Sequence, residues 1–310
     1  MTEPEQQPAM EQVSEKCVLL DLSFSLWGLT RKVKRKNVQI STHEGEDVPE
    51  QALRLSKRLV KCDEYDRIVS ADGETRRRMA EMSLPFRRGL YAVPMKLVPR
   101  VIDMLREREA VRDAEIAAFI DAYDAAVDKA REDLGPLFRE SDYPTADEVE
   151  EAFGLRWNFV ELGAAGGLKQ ISQAMYEREQ KKVELEWQDA ATTMRDSLRV
   201  TFEKLVSELR ERLDGERANG KPKIFRDSRV ESLRDWMKLF DARNVTGDGA
   251  LSELVAQADK LLAGVTAQEL RDDPKGRASV AETLKAIEVG VAGLKVANAP
   301  KRKFNLDDCD

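Results

Sequence analysis

Histidine, cysteine and aromatic residues are scarce in this sequence. Its 310 residues include one histidine and three cysteines, and 6% of them are aromatic. The cysteines Cys17, Cys62 and Cys309 are widely spaced and odd in number, so the sequence predicts no disulfide framework and no zinc site built from close Cys and His pairs. We therefore expect a reducing, intracellular compartment.

The single histidine, His43, restricts the enzyme chemistry that the chain can perform. A Ser-His or Cys-His catalytic machine would need His43, a nucleophile and a supporting third group. The glycine-rich segment 163–167 lacks the Lys-Ser/Thr pair of a phosphate-binding loop, and the segment 244–249 has too few spaced oxygens for a calcium loop. We predict a non-enzymatic protein with no catalytic residues, no cofactor and no metal ion.

The sequence also lacks a long apolar run and a basic excess. The N-terminus, MTEPEQQPAMEQ, has neither the basic start nor the apolar core of a signal peptide. No run approaches the roughly 20 apolar residues of a membrane span. The formal net charge of −7 argues against a dedicated duplex-DNA binder. We expect a cytoplasmic protein without membrane contact.

Charged residues are abundant and favour helices. They make up 35% of the chain, with Ala, Glu, Lys, Leu and Arg prominent. The segment 168–213 contains neither proline nor glycine, and its apolar stripe from Trp187 to Leu213 recurs about every 3.7 residues, nearer a straight helix than a left-handed coiled coil. The predicted fold is mainly α: an elongated bundle of long antiparallel helices, with a small β element near the N-terminus.

A few segments carry strand patterns instead. Apolar and polar residues alternate from Leu20 to Leu26, which predicts a half-buried strand. We expect residues 90–93 to form a short strand that pairs with it, and Val38 with Ile40 to belong to another. Residues 155–160 fit a third strand or a packed loop. A helix is predicted from about Pro49 to Ser83, with a break.

Breaks at glycine and proline residues divide the chain into five predicted parts. The long helical hairpin consists of predicted helices at 95–133 and 168–213, and later helices are predicted at about 227–242, 248–263 and 275–296. The five predicted parts are a disordered tail (1–15), a strand and helix region with a small sheet (16–94), the helical hairpin (95–214), a small helical subdomain (223–297) and a flexible tail (298–310).

Basic residues cluster in three places near the N-terminal strands. If these clusters converge, they form one positive face for phosphate groups or an acidic protein; otherwise they are solvated charges that balance nearby carboxylates. The candidate binding patch comprises Trp27, Arg31, Lys32, Lys34, Arg35, Lys36, Arg76, Arg77, Arg78, Arg87 and Arg88. In the C-terminal tail, Phe304 and Leu306 follow Lys301–Lys303 and form a candidate docking peptide.

Two stretches resemble a known family. An apolar strand ends in Trp27-Gly-Leu-Thr-Arg-Lys32, and about sixty residues later Gly89-Leu-Tyr-Ala-Val-Pro94 leads into a long helix. Over roughly residues 17–265, the order of these elements resembles that of the phage and bacterial family called domain of unknown function 3150. The family has no established catalytic residues. Its genes often lie in phage genomes or near a MoxR-type ATPase and a von Willebrand A-type protein, which implies an accessory or assembly role.

Two functional hypotheses follow. The first is a phage or bacterial accessory protein that acts through protein–protein interaction, with a MoxR-type ATPase or a host factor as its partner, and that self-associates. The alternative is a nucleic-acid-associated protein that uses the N-terminal basic patches. The sequence favours the first, because the net charge is negative.

Overall fold

The computed structural model describes residues 13–34, 38, 54–214 and 227–294, and its fold is mainly α with a small antiparallel sheet, as predicted. The strands are β1 (Cys17–Ser25), β2 (Thr30–Lys32), β3 (Ser56–Arg58), β4 (Leu84–Arg87), β5 (Leu90–Pro94) and β6 (Gly154–Val160). The helices are α1 (Asp63–Met82), α2 (Val98–Leu134), α3 (Ala146–Glu150), α4 (Leu168–Ile171), α5 (Gln173–Asp214), α6 (Asp227–Arg243), α7 (Gly249–Leu262), α8 (Ala267–Asp272) and α9 (Pro274–Gly293).

The main sheet has four antiparallel strands in the order β4-β5-β1-β6. The predicted strand at Leu20–Leu26 is β1, and the predicted pairing with residues 90–93 is confirmed by the register that joins Leu20 to Tyr91. On its other side β1 pairs with β6, which settles residues 155–160 as a strand. The pairing of β1 with β6 therefore joins segments that lie about 130 to 140 residues apart in the chain.

Helices cover both faces of this sheet. Leu20 and Leu22 of β1 share a buried cluster with Met79 of α1 and with Val101 and Leu105 of α2. On the opposite face, a second cluster joins β1, β4 and β5 to α5; its members include Leu19, Leu84, Ala92, Ala190, Ala191 and Met194. Alternate residues of β1 thus contribute to two different cores, because successive side chains of a strand point to opposite faces. The two longest described helices, α2 and α5, lie on opposite faces of the sheet. The predicted helical hairpin of 95–133 and 168–213 is therefore wrong, because the sheet lies between these helices.

The segment before α1 differs from the prediction. The helix expected from Pro49 is wrong over residues 54–62, where β3 pairs with β2 and the Leu59 N–H donates to the Leu29 carbonyl at 2.7 Å. Leu59 and Val60 are both buried, but in an extended segment that lies against the ends of α1 and α2. The strand expected at Val38 is wrong, because Val38 lies in a bend; Ile40 is outside the described residues.

Local sequence signals set the ends of several helices. Thr145 caps α3 in a capping box with Glu148. Asp273 caps α9, with Pro274 in its first turn. The helix expected over 168–213 is interrupted at Ser172, whose extended backbone separates α4 from α5.

The C-terminal helices pack on the second half of α5. The predicted helices of the 223–297 region correspond to α6, α7 and α9, and α8 is an additional short helix. Phe202 of α5 stacks on Trp236 of α6 with ring centroids 5.2 Å apart, and Trp236 stacks on Phe240. Within the described part of the chain, no helix is both long and apolar enough to cross a membrane.

Candidate functional site: an open sheet edge

Strand β6 lies at the end of the main sheet. It pairs with β1 from Ser25–Gly154 to Leu19–Val160, and no strand among the described residues pairs with its other side. We call this side the open edge of β6. Its main-chain groups determine what the edge can bind.

Two hydrogen bonds fix the direction of these groups. The Leu22 N–H donates to the Gly89 carbonyl at 3.1 Å, and the Met95 N–H donates to the Lys16 carbonyl at 2.9 Å. Even-numbered residues of β1 therefore direct their main chain towards β5. Because the direction alternates along a strand, the odd-numbered residues of β1 face β6.

The same alternation divides β6 into two sets of residues. Those opposite the odd-numbered residues of β1 direct their main chain towards β1: Gly154, Arg156, Asn158 and Val160. The others direct their N–H and C=O groups away from β1, to the open edge: Leu155, Trp157 and Phe159. The open edge thus offers three N–H and three C=O groups in the spacing that a further strand would need.

Apolar side chains accompany this edge. Phe159 is 42% exposed and Val160 is 41% exposed. Phe159 makes an edge contact with Trp157, with ring centroids 6.2 Å apart, and Trp157 in turn packs against the cluster that contains Leu20 and Leu22. The apolar face of the sheet therefore continues from the core out to the surface at β6.

A cleft of about 650 Å³ adjoins the last residues of β6. Its walls are apolar, formed mainly by Val18, Leu19, Phe159, Val160, Leu162 and Trp187. Its charged lining residues, Glu15 and Glu161, are both acidic. This size and lining suit an apolar side chain of a bound segment, with a cation beside it.

Cys17 also lines this cleft, but it is not a nucleophile. The side chain is buried, its Sγ donates to the Val13 carbonyl at 3.0 Å, and burial raises the pKa of the thiol to about 12. The thiolate that nucleophilic chemistry requires is therefore scarce at neutral pH. Cys17 is therefore part of the packing beside the cleft.

The basic residues of α1 are paired with neighbouring carboxylates. Arg77 contacts Glu74 at 2.6 Å and also binds Glu81, and Arg78 contacts Glu74 at 2.9 Å. These arginines hold the pKa of Glu74 at about 2, through their hydrogen bonds to it. Arg76 lies 4.1 Å above the centre of the Phe24 ring. This stretch is therefore a network of intramolecular contacts with little net positive charge.

A separate basic cluster lies near the C-terminal end of α2. Lys32, Lys34 and Arg139 line a small pocket of about 90 Å³ with Lys57. Lys57 is buried and binds Asp142 at 2.6 Å. The Arg31 side chain turns back to the Gly28 and Thr30 carbonyls.

These basic groups do not converge on one face. Arg77 and Arg78 line a cleft with Arg100, at the start of α2, whereas the pocket with Lys32 and Lys34 includes Leu137, just beyond its end. The 37 residues of α2 span about 55 Å, which separates the two groups by most of that length. Arg87 lies elsewhere again, 2.9 Å from Glu186 of α5, and Arg88 is exposed in the turn before β5.

Several predicted site residues fall outside a surface patch. Trp27 is 4% exposed and belongs to the core with Phe119 and Tyr123, and its carbonyl accepts a hydrogen bond from Tyr65 at 2.7 Å. The remaining residues lie outside the described part of the chain: Arg35, Lys36, His43, Phe304 and Leu306.

Residues that suggest metal chemistry are engaged in packing. The described residues contain no group of three or more His, Cys, Asp or Glu side chains placed to hold a metal ion. Asp248, in the loop that faintly resembles a calcium loop, accepts from the Leu251 N–H at 3.1 Å and binds Arg199 at 2.7 Å. It is the N-cap of α7.

Neither the open edge nor the buried ion pair that supports it is evident from the sequence. Arg112 of α2 binds Asp72 of α1 at 2.6 Å and donates to the carbonyl of Ser25, the residue opposite Gly154. The apolar residues 155, 157 and 159 do alternate with polar ones at 156 and 158, which is the signal of a strand. Nothing in that pattern says which strand ends the sheet.

A known protein family matches most of this chain. The family described as "Protein of unknown function (DUF3150)" matches residues 14–214, which includes all six strands and α1–α5. The resemblance seen in the sequence is thereby confirmed, and the helices α6–α9 lie outside the matched residues. No curated protein and no solved structure matches the chain.

Proposed function

The chain belongs to the DUF3150 family, and we propose that it is an accessory protein that binds a protein partner along the open edge of β6. The partner contributes an extended segment that adds to the sheet as a further strand. Main-chain hydrogen bonds give such a complex its affinity, and alternate side chains in pockets give it specificity.

The observation that carries this proposal is the combination of unpaired main chain and apolar surface. Leu155, Trp157 and Phe159 present their N–H and C=O groups outwards, and Phe159 and Val160 are about two-fifths exposed. Exposed sheet edges are templates for association, which proteins normally block with proline, lysine, a bulge or a covering element. None of the seven residues of β6 is proline or lysine, and its pairing with β1 is regular.

The chemistry of the cleft specifies the bound segment further. An apolar side chain would enter beside Val160 and Trp187, and a basic residue would face Glu15 and Glu161. The partner segment is therefore extended, apolar at alternate positions and basic at one end. The gene neighbourhoods of the family make a MoxR-type ATPase the first partner to test, followed by a host factor if the gene is phage-encoded.

Variants at Phe159 test the proposal. Phe159→Pro removes an N–H that points to the open edge, so it blocks strand addition and leaves the bonds to β1 intact. Phe159→Ala keeps that N–H and is the matched control. We expect tagged wild-type protein, incubated in lysate of the native host, to retain a stoichiometric partner that Phe159→Pro loses and Phe159→Ala retains more weakly. Equal retention by Phe159→Pro would contradict binding at this edge.

Nucleic-acid binding is a second candidate, favoured by one observation. The pocket lined by Lys32, Lys34, Lys57 and Arg139 contains Asp142 as its one acidic lining residue. A phosphate contact there predicts binding that weakens steeply as salt rises. Absence of binding to nucleic acid at low salt would reject this alternative.

A further inference from the structure

The C-terminal segment begins within reach of the open edge. Helix α9 ends at Gly293, and Arg199 of α5 donates to the carbonyl of Leu294. Trp187, which lines the cleft beside β6, lies 12 residues earlier on α5, or about 18 Å along the helix axis. The ten residues from Leu294 to Phe304 extend up to about 33 Å, so the following residues can reach β6.

We propose that residues 302–308 of this segment pair antiparallel with the open edge of β6 in the same molecule. They read Arg-Lys-Phe-Asn-Leu-Asp-Asp, with apolar residues at alternate positions and a basic start. This is the chemistry that the edge and its cleft require. The segment itself lies outside the described residues.

The proposed register sets the apolar residues Phe304 and Leu306 opposite Phe159 and Trp157 and places opposite charges across from each other near both ends. Setting Phe304 opposite Phe159 gives the following pairs: Arg302–Glu161, Lys303–Val160, Phe304–Phe159, Asn305–Asn158, Leu306–Trp157, Asp307–Arg156 and Asp308–Leu155. The residues opposite Phe159, Trp157 and Leu155 supply the main-chain partners that the open edge lacks in the described structure.

Charge fixes the direction of this pairing. The antiparallel arrangement sets Arg302 against Glu161 at one end and Asp307 against Arg156 at the other. Opposite charges directly across a strand pair are favourable, and like charges are unfavourable. A parallel arrangement would bring the basic start of the segment towards Arg156 and its acidic end towards Glu161.

The consequence for function rests on the proposed partner binding. A segment of the chain that occupies the edge competes with any partner strand, so binding requires its displacement. Occupancy also shields the exposed Phe159 and Val160 from association with other molecules. The tail is then a built-in competitor, whose removal strengthens partner binding.

Amide hydrogen exchange tests the pairing without any partner. In the full chain we expect slow exchange at the amides of Leu155, Trp157 and Phe159. In a chain that ends at residue 298, exchange at these amides should be about tenfold faster or more, because a segment docked about 90% of the time leaves them exposed about a tenth of the time. The amides of the alternate residues Arg156 and Asn158 bond to β1 and serve as internal references.

Two outcomes would overturn the proposal. Fast exchange of the three outward amides in the full chain means that the edge is unoccupied. Slow exchange in both chains means that something other than the tail covers the edge. If the protection of these amides rises with protein concentration, a second molecule of the same protein covers it. Neither outcome bears on whether Phe159→Pro loses a partner in lysate, so the two proposals can fail separately.

An engineered disulfide tests the register and whether it forms within one molecule. Asn158 and Asn305 form a non-hydrogen-bonded pair, for which the Cα separation is about 4.5 Å, within the range of a disulfide. In a Cys62→Ser, Cys309→Ser background, we expect Asn158→Cys with Asn305→Cys to oxidise to an intrachain disulfide in monomeric protein. Gln188→Cys with Asn305→Cys is the control, since Gln188 is exposed beside Trp187. Equal yields from both pairs, or a disulfide-linked dimer, would contradict the proposed pairing.

A charge exchange gives an independent check on direction. Asp307→Arg sets two like charges opposite each other and should speed exchange at the outward amides, and adding Arg156→Asp should restore their protection. Failure of the second substitution to restore it would overturn the antiparallel register.

Discussion

The two outer strands of the main sheet differ in how they are protected. Strand β4 has four residues, begins Leu84-Pro85, carries a register shift between Pro85 and Arg87, and lies against α5. Phe86 of β4 packs on Trp187 of α5 with ring centroids 4.9 Å apart, and Arg87 binds Glu186. Strand β6 has seven residues in regular pairing and an edge that no described strand covers.

This difference between the two edges supports the proposed binding at β6. Proline, a bulge, a charge and a packed helix are the devices by which sheets avoid association, and β4 combines them. The other edge, at β6, is longer and regularly paired, with apolar residues at 155, 157 and 159, and that asymmetry is the strongest structural support for the proposal of binding at β6.

Removing the ring that packs on β4 should cost the most. Trp187 is 4% exposed, and Trp187→Ala should lower the free energy of unfolding by about 3–5 kcal/mol, since it leaves a cavity beside Phe86. Denaturant unfolding followed by circular dichroism measures this change. Leu185→Ala on the same helix is the control, because Leu185 is 55% exposed and should change stability by less than about 0.5 kcal/mol. A loss below about 1 kcal/mol for Trp187→Ala would mean that α5 contributes little to holding β4.

The buried ion pair should come next. Asp72→Ala leaves Arg112 buried without its carboxylate partner. It should also weaken the hydrogen bond from Arg112 to the carbonyl of Ser25, which pairs with Gly154 at the start of β6. We expect a loss of about 3 kcal/mol, at the lower end of the range for breaking a buried pair. The control is Asp66→Ala, which breaks the exposed pair with Arg58 and should cost less than about 1 kcal/mol. Similar losses in both variants would show that the pair does not anchor this end of the sheet.

The sequence predicted β1 and β5 because their patterns are local. Apolar and polar residues alternate from Leu20 to Phe24, and residues 90–93 form an apolar run, so each segment fits a strand by itself. Few segments between them have a strand pattern, so the two were expected to pair with each other, as they do. The end of the sheet was not predictable in this way. Strand β6 pairs with β1 across about 135 residues, and strand order is set by how helices cover the two faces, which no local pattern records.

The error before α1 has a different physical cause. Leu55, Leu59 and Val60 are spaced as on a helix, yet hydrogen bonds to Val33 and Leu29 hold the segment extended. Tertiary pairing overrides a weak local preference here. The basic patches illustrate a similar limit, since Arg77 and Arg78 are adjacent to Glu74 and Glu81 at helical spacing, and these partners could have been read from the sequence.

Proline substitutions should distinguish the inner and outer sides of β6. In a chain that ends at residue 298, Asn158→Pro removes an N–H that bonds to β1 and should cost about 1–3 kcal/mol more than Phe159→Pro, whose lost N–H points to the open edge. Thermal and denaturant unfolding of the two variants measures the difference. Equal losses would contradict the assignment of outward residues, and with it the geometry on which strand addition depends.

Removing one exposed ring should have the smallest effect on stability. In a chain that ends at residue 298, Phe159→Ala should lower the free energy of unfolding by less than about 1 kcal/mol, because the ring is 42% exposed at the edge of the sheet. Phe119→Ala is the matched control: Phe119 is fully buried against Trp27 and Tyr65, and its loss should cost about 3–5 kcal/mol. If Phe159→Ala in the full chain costs much more than 1 kcal/mol, and this excess disappears in the chain that ends at residue 298, the ring is covered by the tail in solution. The two edges of the sheet would then both be protected, one by α5 and its own sequence and the other by a segment that a partner can displace.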